Sequence, residues 1–243
     1  MKAFTSLMVF CLCCLGITRS YGTGSDEVFQ EANYLLQTHQ ESHYDHKTVI
    51  DEKRGYYRMD CSSLVCYVLS KRAPIALGMI PKDVHHSHAR AQNFYDYFKT
   101  LETMPNAYWT AVRTVTELKR GDIIVWKYDP MLRKKDTGHI VIVAETPVQE
   151  EAYLYRIRVI DASRGQHAKD TRVAGKDGIG SGDMWFRVDE NNFPVGLYWS
   201  SKEKQEARHS IAMGRVLKII GGEKVESESE RSTKLLLQIG YIY

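Results

Sequence analysis

Cys61 puts a thiol where acyl chemistry is possible. In Met59-Asp60-Cys61-Ser62-Ser63-Leu64-Val65-Cys66-Tyr67-Val68-Leu69, Asp60 suits a helix N-cap. Leu64, Val65, Val68 and Leu69 then recur at the spacing of one buried helical stripe. Cys61 therefore falls in the first turn, on the core side, beside unpaired backbone amides. The partial positive charge there favours thiolate, the form of cysteine that attacks carbonyls. The expectation is a nucleophilic cysteine.

Such a nucleophile needs a base, and the base needs an orienting group. His139 follows Gly138 and opens an apolar run over 138–144, read as a central strand. A second strand over 153–161 lies beyond a short loop at 146–151, which predicts a hairpin. With its turn near Gln149, His139 faces about Val159 and Asp161 sits one diagonal step away on the same face. Taken singly, the three residues read as a core filler, a hydrogen-bonded strand-end histidine and a turn-former. Their convergence from separate elements points to catalysis.

The elements that must position them come in two blocks. Helices are predicted over about 26–39, capped by Ser25, then from Cys61 to before Pro74, then over 87–101. Residues 38–57 read as a polar, turn-rich connection and 78–81 as a loop. Strands are predicted over 109–115, 123–126, 138–144, 153–161, 183–188, 195–199, 211–217 and 235–243, with 175–182 a glycine-rich loop and 223–232 a solvated linker. Helices first and antiparallel strands afterwards give one α+β domain.

The chain has 243 residues, 43% apolar, with a net charge of +3, enough for a substantial core and too mildly charged to imply nucleic acid. Lys2 followed by an apolar run over 7–17 reads as a secretory signal cleaved after Ser20 or Gly22, leaving 23–243 as the domain with no transmembrane segment. Phe10, Leu12 and Cys13 stand where a lipobox needs a small residue, which argues against a lipoprotein. Once that segment is removed only Cys61 and Cys66 remain, five apart on one helix and unsuited to a disulfide. Cys66 reads as an inert core residue. His39, His43 and His46 read as a solvated helix face, and His85, His86 and His88 as a polar loop or cap. Neither cluster has a zinc pattern, so no metal or cofactor is expected. Asp170, Arg172 and Asp183 are candidate cleft residues by loop position alone.

Four segments in order, Asp60-Cys61-Ser62-Ser63-Leu64-Val65, Leu118-Lys119-Arg120-Gly121-Asp122-Ile123-Ile124, Gly138-His139-Ile140-Val141-Ile142 and Val159-Ile160-Asp161-Ala162-Ser163, resemble the NlpC/P60 branch of papain-like cysteine peptidases. The resemblance covers about 56–163. It implies a papain-like fold with N-terminal helices packed on a central antiparallel sheet, and Cys61, His139 and Asp161 as nucleophile, base and orienter. It also implies an oxyanion hole from the Cys61 amide and an upstream tyrosine, taken as Tyr57. Ser62 and His167 join Tyr57 on the oxyanion and substrate side, His167 also as an alternative orienter. The implied activity is cleavage of amide bonds in peptidoglycan stem peptides by an exported, periplasmic or secreted enzyme. Two departures stand out. Ser63 replaces the usual glycine, which crowds the site, and Asp161 replaces the common histidine. Amidase, acyl-transfer and deamidase activities, and a non-catalytic wall-binding protein, remain open.

Overall fold

The structure, a computed structural model, describes residues 23–129, 136–200 and 206–217. The signal at 1–22, the linker at 223–232 and the strand at 235–243 lie outside the described residues. The elements run α1 Gly24–Thr38, β1 Glu41–His43, β2 Val49–Asp51, β3 Tyr56–Arg58, α2 Cys61–Arg72, α3 Pro74–Gly78, α4 Ala91–Thr100, β4 Trp109–Val112, β5 Ile123–Lys127, β6 Gly138–Val143, β7 Val148–Glu151, β8 Leu154–Ser163, β9 Gly178–Val188, β10 Pro194–Tyr198 and β11 Ser210–Val216. The fold is α+β, with few helices and a large antiparallel sheet of order β10-β9-β8-β6-β5-β11-β4, to which β7 adds as a partner of β8. No helix among the described residues is long and apolar enough to cross a membrane.

Local chemistry explains most boundaries. Asp60 caps α2 by accepting from the Ser63 amide, and Ser63 Oγ in turn accepts from the Asp60 amide, so the pair forms a reciprocal capping box. α2 stops before Pro74, which then serves as the first residue of α3, where a missing N–H costs nothing. α1 is capped by Thr23 with Asp26, not by Ser25, which lies buried in its first turn. α4 begins at Ala91, after a polar loop that carries His85, His86 and His88.

Two cores sandwich the sheet. One face packs under α1, α2 and α4 through Ile123, Val125, Ile140, Ile142, Ile160 and Ala162. The other carries Ile124, Trp126, Val141, Val143, Val159 and Met184. Val112 and Met213 from one end of the sheet share that second core with Phe186 and Leu197 from the other, so the sheet curls around it. Central strands covered on both faces have no room for polar alternation, which is why β5 and β6 read as continuous apolar runs.

Three expectations need correction. Residues 38–57 contain a small sheet of order β1-β3-β2, whose three-residue strands are too short to show a period. Residues 178–182 are not loop but the first half of β9. In the hairpin, Val159 pairs with Val143 rather than His139, because the chain adds β7 before turning into β8. That displacement is four residues, an even number, so His139 and Asp161 keep a common face.

Candidate active site

Cys61 opens α2 and Asp60 caps it, so the thiol is fixed at the amide-donating end of the helix. The backbone amides of Ser62 and Ile140 lie near enough to the sulfur to favour its ionised form. The β6–β8 ladder ends at Ile142 and Ile160, and beyond it the two strands part toward His139 and Asp161. The thiol meets the sheet beside this opening from the helix side. His139 and Asp161 share the opposite face with Trp126, Val141 and Val159.

His139 Nε2 lies 2.8 Å from Asp161 Oδ2, and both side chains are almost wholly buried. An ionised carboxylate only accepts, so Nε2 carries the proton and Nδ1 is left bare when the ring is neutral. Trp126 packs on the imidazole at 5.1 Å and Trp199 meets it edge-on at 5.0 Å, which fixes the ring plane. Arg172 donates to Asp161 Oδ1 at 3.2 Å. Burial alone would push the Asp161 carboxyl up. The nearby His167, 3.0 Å from Oδ2, and the hydrogen bond from His139 hold it well below the usual carboxylate range.

No hydrogen bond joins the Cys61 thiol to His139. Cys61 is only 4% exposed, and burial followed by the charge of Asp60 pushes its thiol well above the ordinary value. The expected thiolate at the helix start is therefore corrected. Desolvation and a carboxylate neighbour outweigh the helix-end field, and the resting group is a thiol.

The other candidates separate. Tyr57 shares the helix-side core with Cys61, but its ring packs against Tyr67 at 6.0 Å and the groups that influence its hydroxyl are Tyr67, Glu52, Tyr34 and Glu31, not the thiol. Tyr44 is the tyrosine whose electrostatic surroundings include Cys61. Its hydroxyl is held protonated chiefly by burial, with Asp60 and Asp136 as further negative neighbours, so it can donate a hydrogen bond. Arg164 stacks over its ring at 5.2 Å. Tyr44, His46, Asp136, His139, Arg164 and Trp199 surround a cavity of about 280 Å³, a cleft ending on the imidazole. Sequence reading missed Tyr44, Trp199 and Arg164, since nothing in their spacing ties them to Cys61.

Ser62 is occupied by the cap, donating to Asp60 Oδ1 at 2.9 Å and lying 3.3 Å from His88 Nε2. Ser63 completes the capping box, accepting from the Asp60 amide while its own amide donates to Asp60 Oδ1. His46 Nδ1 reaches Asp60 Oδ2 at 3.1 Å from the loop after β1, which corrects the solvated helix face expected of His39, His43 and His46. His167 belongs with Asp161, 3.0 Å from its Oδ2, rather than with substrate. Asp170 and Arg172 are buried behind Asp161, and Asp183 accepts from Arg158 at 3.1 Å, so none of these three lines the cleft around His139. Among the described residues no three His, Cys, Asp or Glu side chains converge as a metal set.

The arrangement offers an oriented imidazole with a bare Nδ1, a thiol at a helix start on the other side of β6, and a phenolic hydroxyl in the same cleft as the imidazole. Searches against protein-family models, curated proteins and solved structures found no match.

Proposed function

We propose that this chain is an exported cysteine hydrolase of papain-like, NlpC/P60 type that cleaves amide bonds, with peptidoglycan stem peptides as the substrate class. The buried 2.8 Å bond between His139 Nε2 and Asp161 Oδ2, at the place where the strands part beside Cys61, carries the reading. In the reaction the Cys61 thiol gives its proton to His139 Nδ1 as sulfur attacks the amide carbon. The oxyanion is met by the Cys61 amide and the Tyr44 hydroxyl, in place of Tyr57. His139 then protonates the leaving amine, and water activated by the same imidazole hydrolyses the thioester. Activation by a general base fits a thiol that rests protonated. The thiol–imidazole hydrogen bond forms only with substrate in place, since catalytic bonds are often long or absent in free enzymes.

The test is digestion of purified sacculi by the chain without residues 1–22, against Cys61→Ala, with fragments identified by mass. New amine and carboxyl ends within the stem peptide support the reading. Cleavage at the glycan–peptide amide moves it to an amidase, and identical products from wild type and Cys61→Ala sink it. One observation favours a second reading, a non-catalytic wall-binding protein, namely the burial of Cys61. Sedimentation with sacculi but no bond cleavage supports that one.

A further inference from the structure

Behind Asp161 lies a cluster that the reaction does not use directly. Segment 164–173 folds back over β9, where Gly178, Gly180 and Gly182 alternate on one face. A Cβ on Gly180 would stand 2.4 Å from Arg172 Nε, and one on Gly182 would stand 2.6 Å from His167 Cβ. The strand is bare on that face so that these two side chains can lie against it. Arg172 donates through Nε to Asp170 Oδ1 at 2.9 Å, through Nη2 to Asp170 Oδ2 at 2.6 Å and to Asp161, and through Nη1 to the Gly178 carbonyl at 3.0 Å. Two buried carboxylates against one guanidinium leave one negative charge uncompensated. Buried charge of that kind is costly, so a cation is owed.

His167 is placed to supply it. Its side chain is fully buried, with Nδ1 3.3 Å from the Trp199 carbonyl and Nε2 3.0 Å from Asp161 Oδ2. Both neighbours are acceptors only. Either neutral tautomer therefore aims a lone pair at an oxygen, and Nε2 makes no aligned hydrogen bond with any group. Protonation on both nitrogens turns each contact attractive. The ring also lies on Trp199, with centroids 4.2 Å apart at 33°, a face that favours a cation.

We propose that His167 is a positioning residue held as a doubly protonated imidazolium, whose charge offsets Asp161 and leaves His139 neutral. The consequence for catalysis rests on the reading of His139 as the base, whereas the charge assignment does not. Groups facing the cluster are Asp161 and Ser163 from β8, His139 from β6, Asp170 and Arg172 from 164–173, and Trp199 after β10. Without His167, the residual negative charge falls on the His139–Asp161 pair and draws a proton onto the base.

Nitrogen-15 NMR of the imidazoles in the full chain tests this without any substrate, with signals assigned through His139→Gln and His167→Gln. At pH 7 both His167 nitrogens are expected to be protonated, and His139 is expected to show one protonated and one bare nitrogen. In His167→Gln the His139 signals at pH 7 are expected to move toward those of a doubly protonated ring. A bare nitrogen on His167 at pH 7 overturns the proposal, as do His139 signals unchanged in the variant. Should His167→Gln not fold, the wild-type spectrum decides. A protein with this charge pattern that fails to cut sacculi loses the hydrolase reading and keeps the imidazolium.

Discussion

Asp161 on β8 stands directly across the ladder from Gly180 on β9, and the side chain that Gly180 lacks is the space Arg172 fills. Arg172 cannot retreat, because Asp170 and the Gly178 carbonyl hold its other nitrogens. Gly180→Ala is therefore expected to cost about 1–3 kcal/mol, the usual penalty for forcing a methyl into a filled interior. Urea unfolding measures it, and a wild-type midpoint would contradict the packing described.

Asp161→Asn replaces an acceptor that fixes the His139 tautomer with an amide that can face it either way. Hydrolysis should fall by about 10³–10⁴-fold with little change in KM, as expected when an orienting carboxylate is lost. Steady-state kinetics on a stem-peptide substrate reads the split. A change confined to KM would place Asp161 in substrate binding instead.

Tyr44→Phe and Tyr57→Phe separate the two tyrosines. Removal of the Tyr44 hydroxyl takes a donor from the cleft around His139, with an expected loss of about 10²–10³ in turnover. The Tyr57 ring stays packed on Tyr67 without its hydroxyl, so turnover should hold. The reverse ranking would restore Tyr57 to the oxyanion hole.

Cys61 and Cys66 should resist alkylation in the folded state. Cys66 is pushed up to about 12 by burial, and Cys61 is also raised by burial and by Asp60. At pH 7 iodoacetamide should modify them more slowly than an exposed thiol, and unfolding in urea should release both. Rapid labelling of Cys61 at pH 7, abolished in His139→Ala, would instead reveal a resting thiolate–imidazolium pair.

Asp60 couples the site to acid. Burial raises its carboxyl, but bonds from His88, Ser63 and His46 hold it well below the ordinary range. A depressed folded value means that the ionised cap stabilises fully above the unfolded value of about 4 and progressively less as pH falls toward the folded one. Asp60→Ala should cost about 1–2 kcal/mol near neutrality, with the gap from wild type closing in acid. Thermal unfolding at a series of pH values shows whether the gap closes.

The legible parts of the site are those written in local chemistry. Asp60 before an apolar stripe announces a capped helix, and even spacing keeps His139 and Asp161 on one face despite a four-residue error in register. Longer-range features left weaker marks. Gly178, Gly180 and Gly182 look like a flexible loop until segment 164–173 is seen lying on them. Ser63 looked like an obstacle because its reciprocal bond with Asp60 is a property of the folded turn. Tyr44 and Tyr57 cannot be ranked by distance from Cys61 along the chain. β1 and β3 turn Tyr57 into the core, while the loop after β1 carries Tyr44 to the cleft around His139.

β11 lies between β4 and β5, and Arg215 from it donates to the buried Asp122 at 2.8 Å and 2.7 Å. Neighbours in sequence are thus joined only by a strand that begins at Ser210. During synthesis, Cys61, His139 and Asp161 all leave the ribosome well before the sheet can close around them. Contacts of such long sequence separation also form slowly. A sheet wired this way stays open until β11 has been made, a form of timing that is written wholly in strand order.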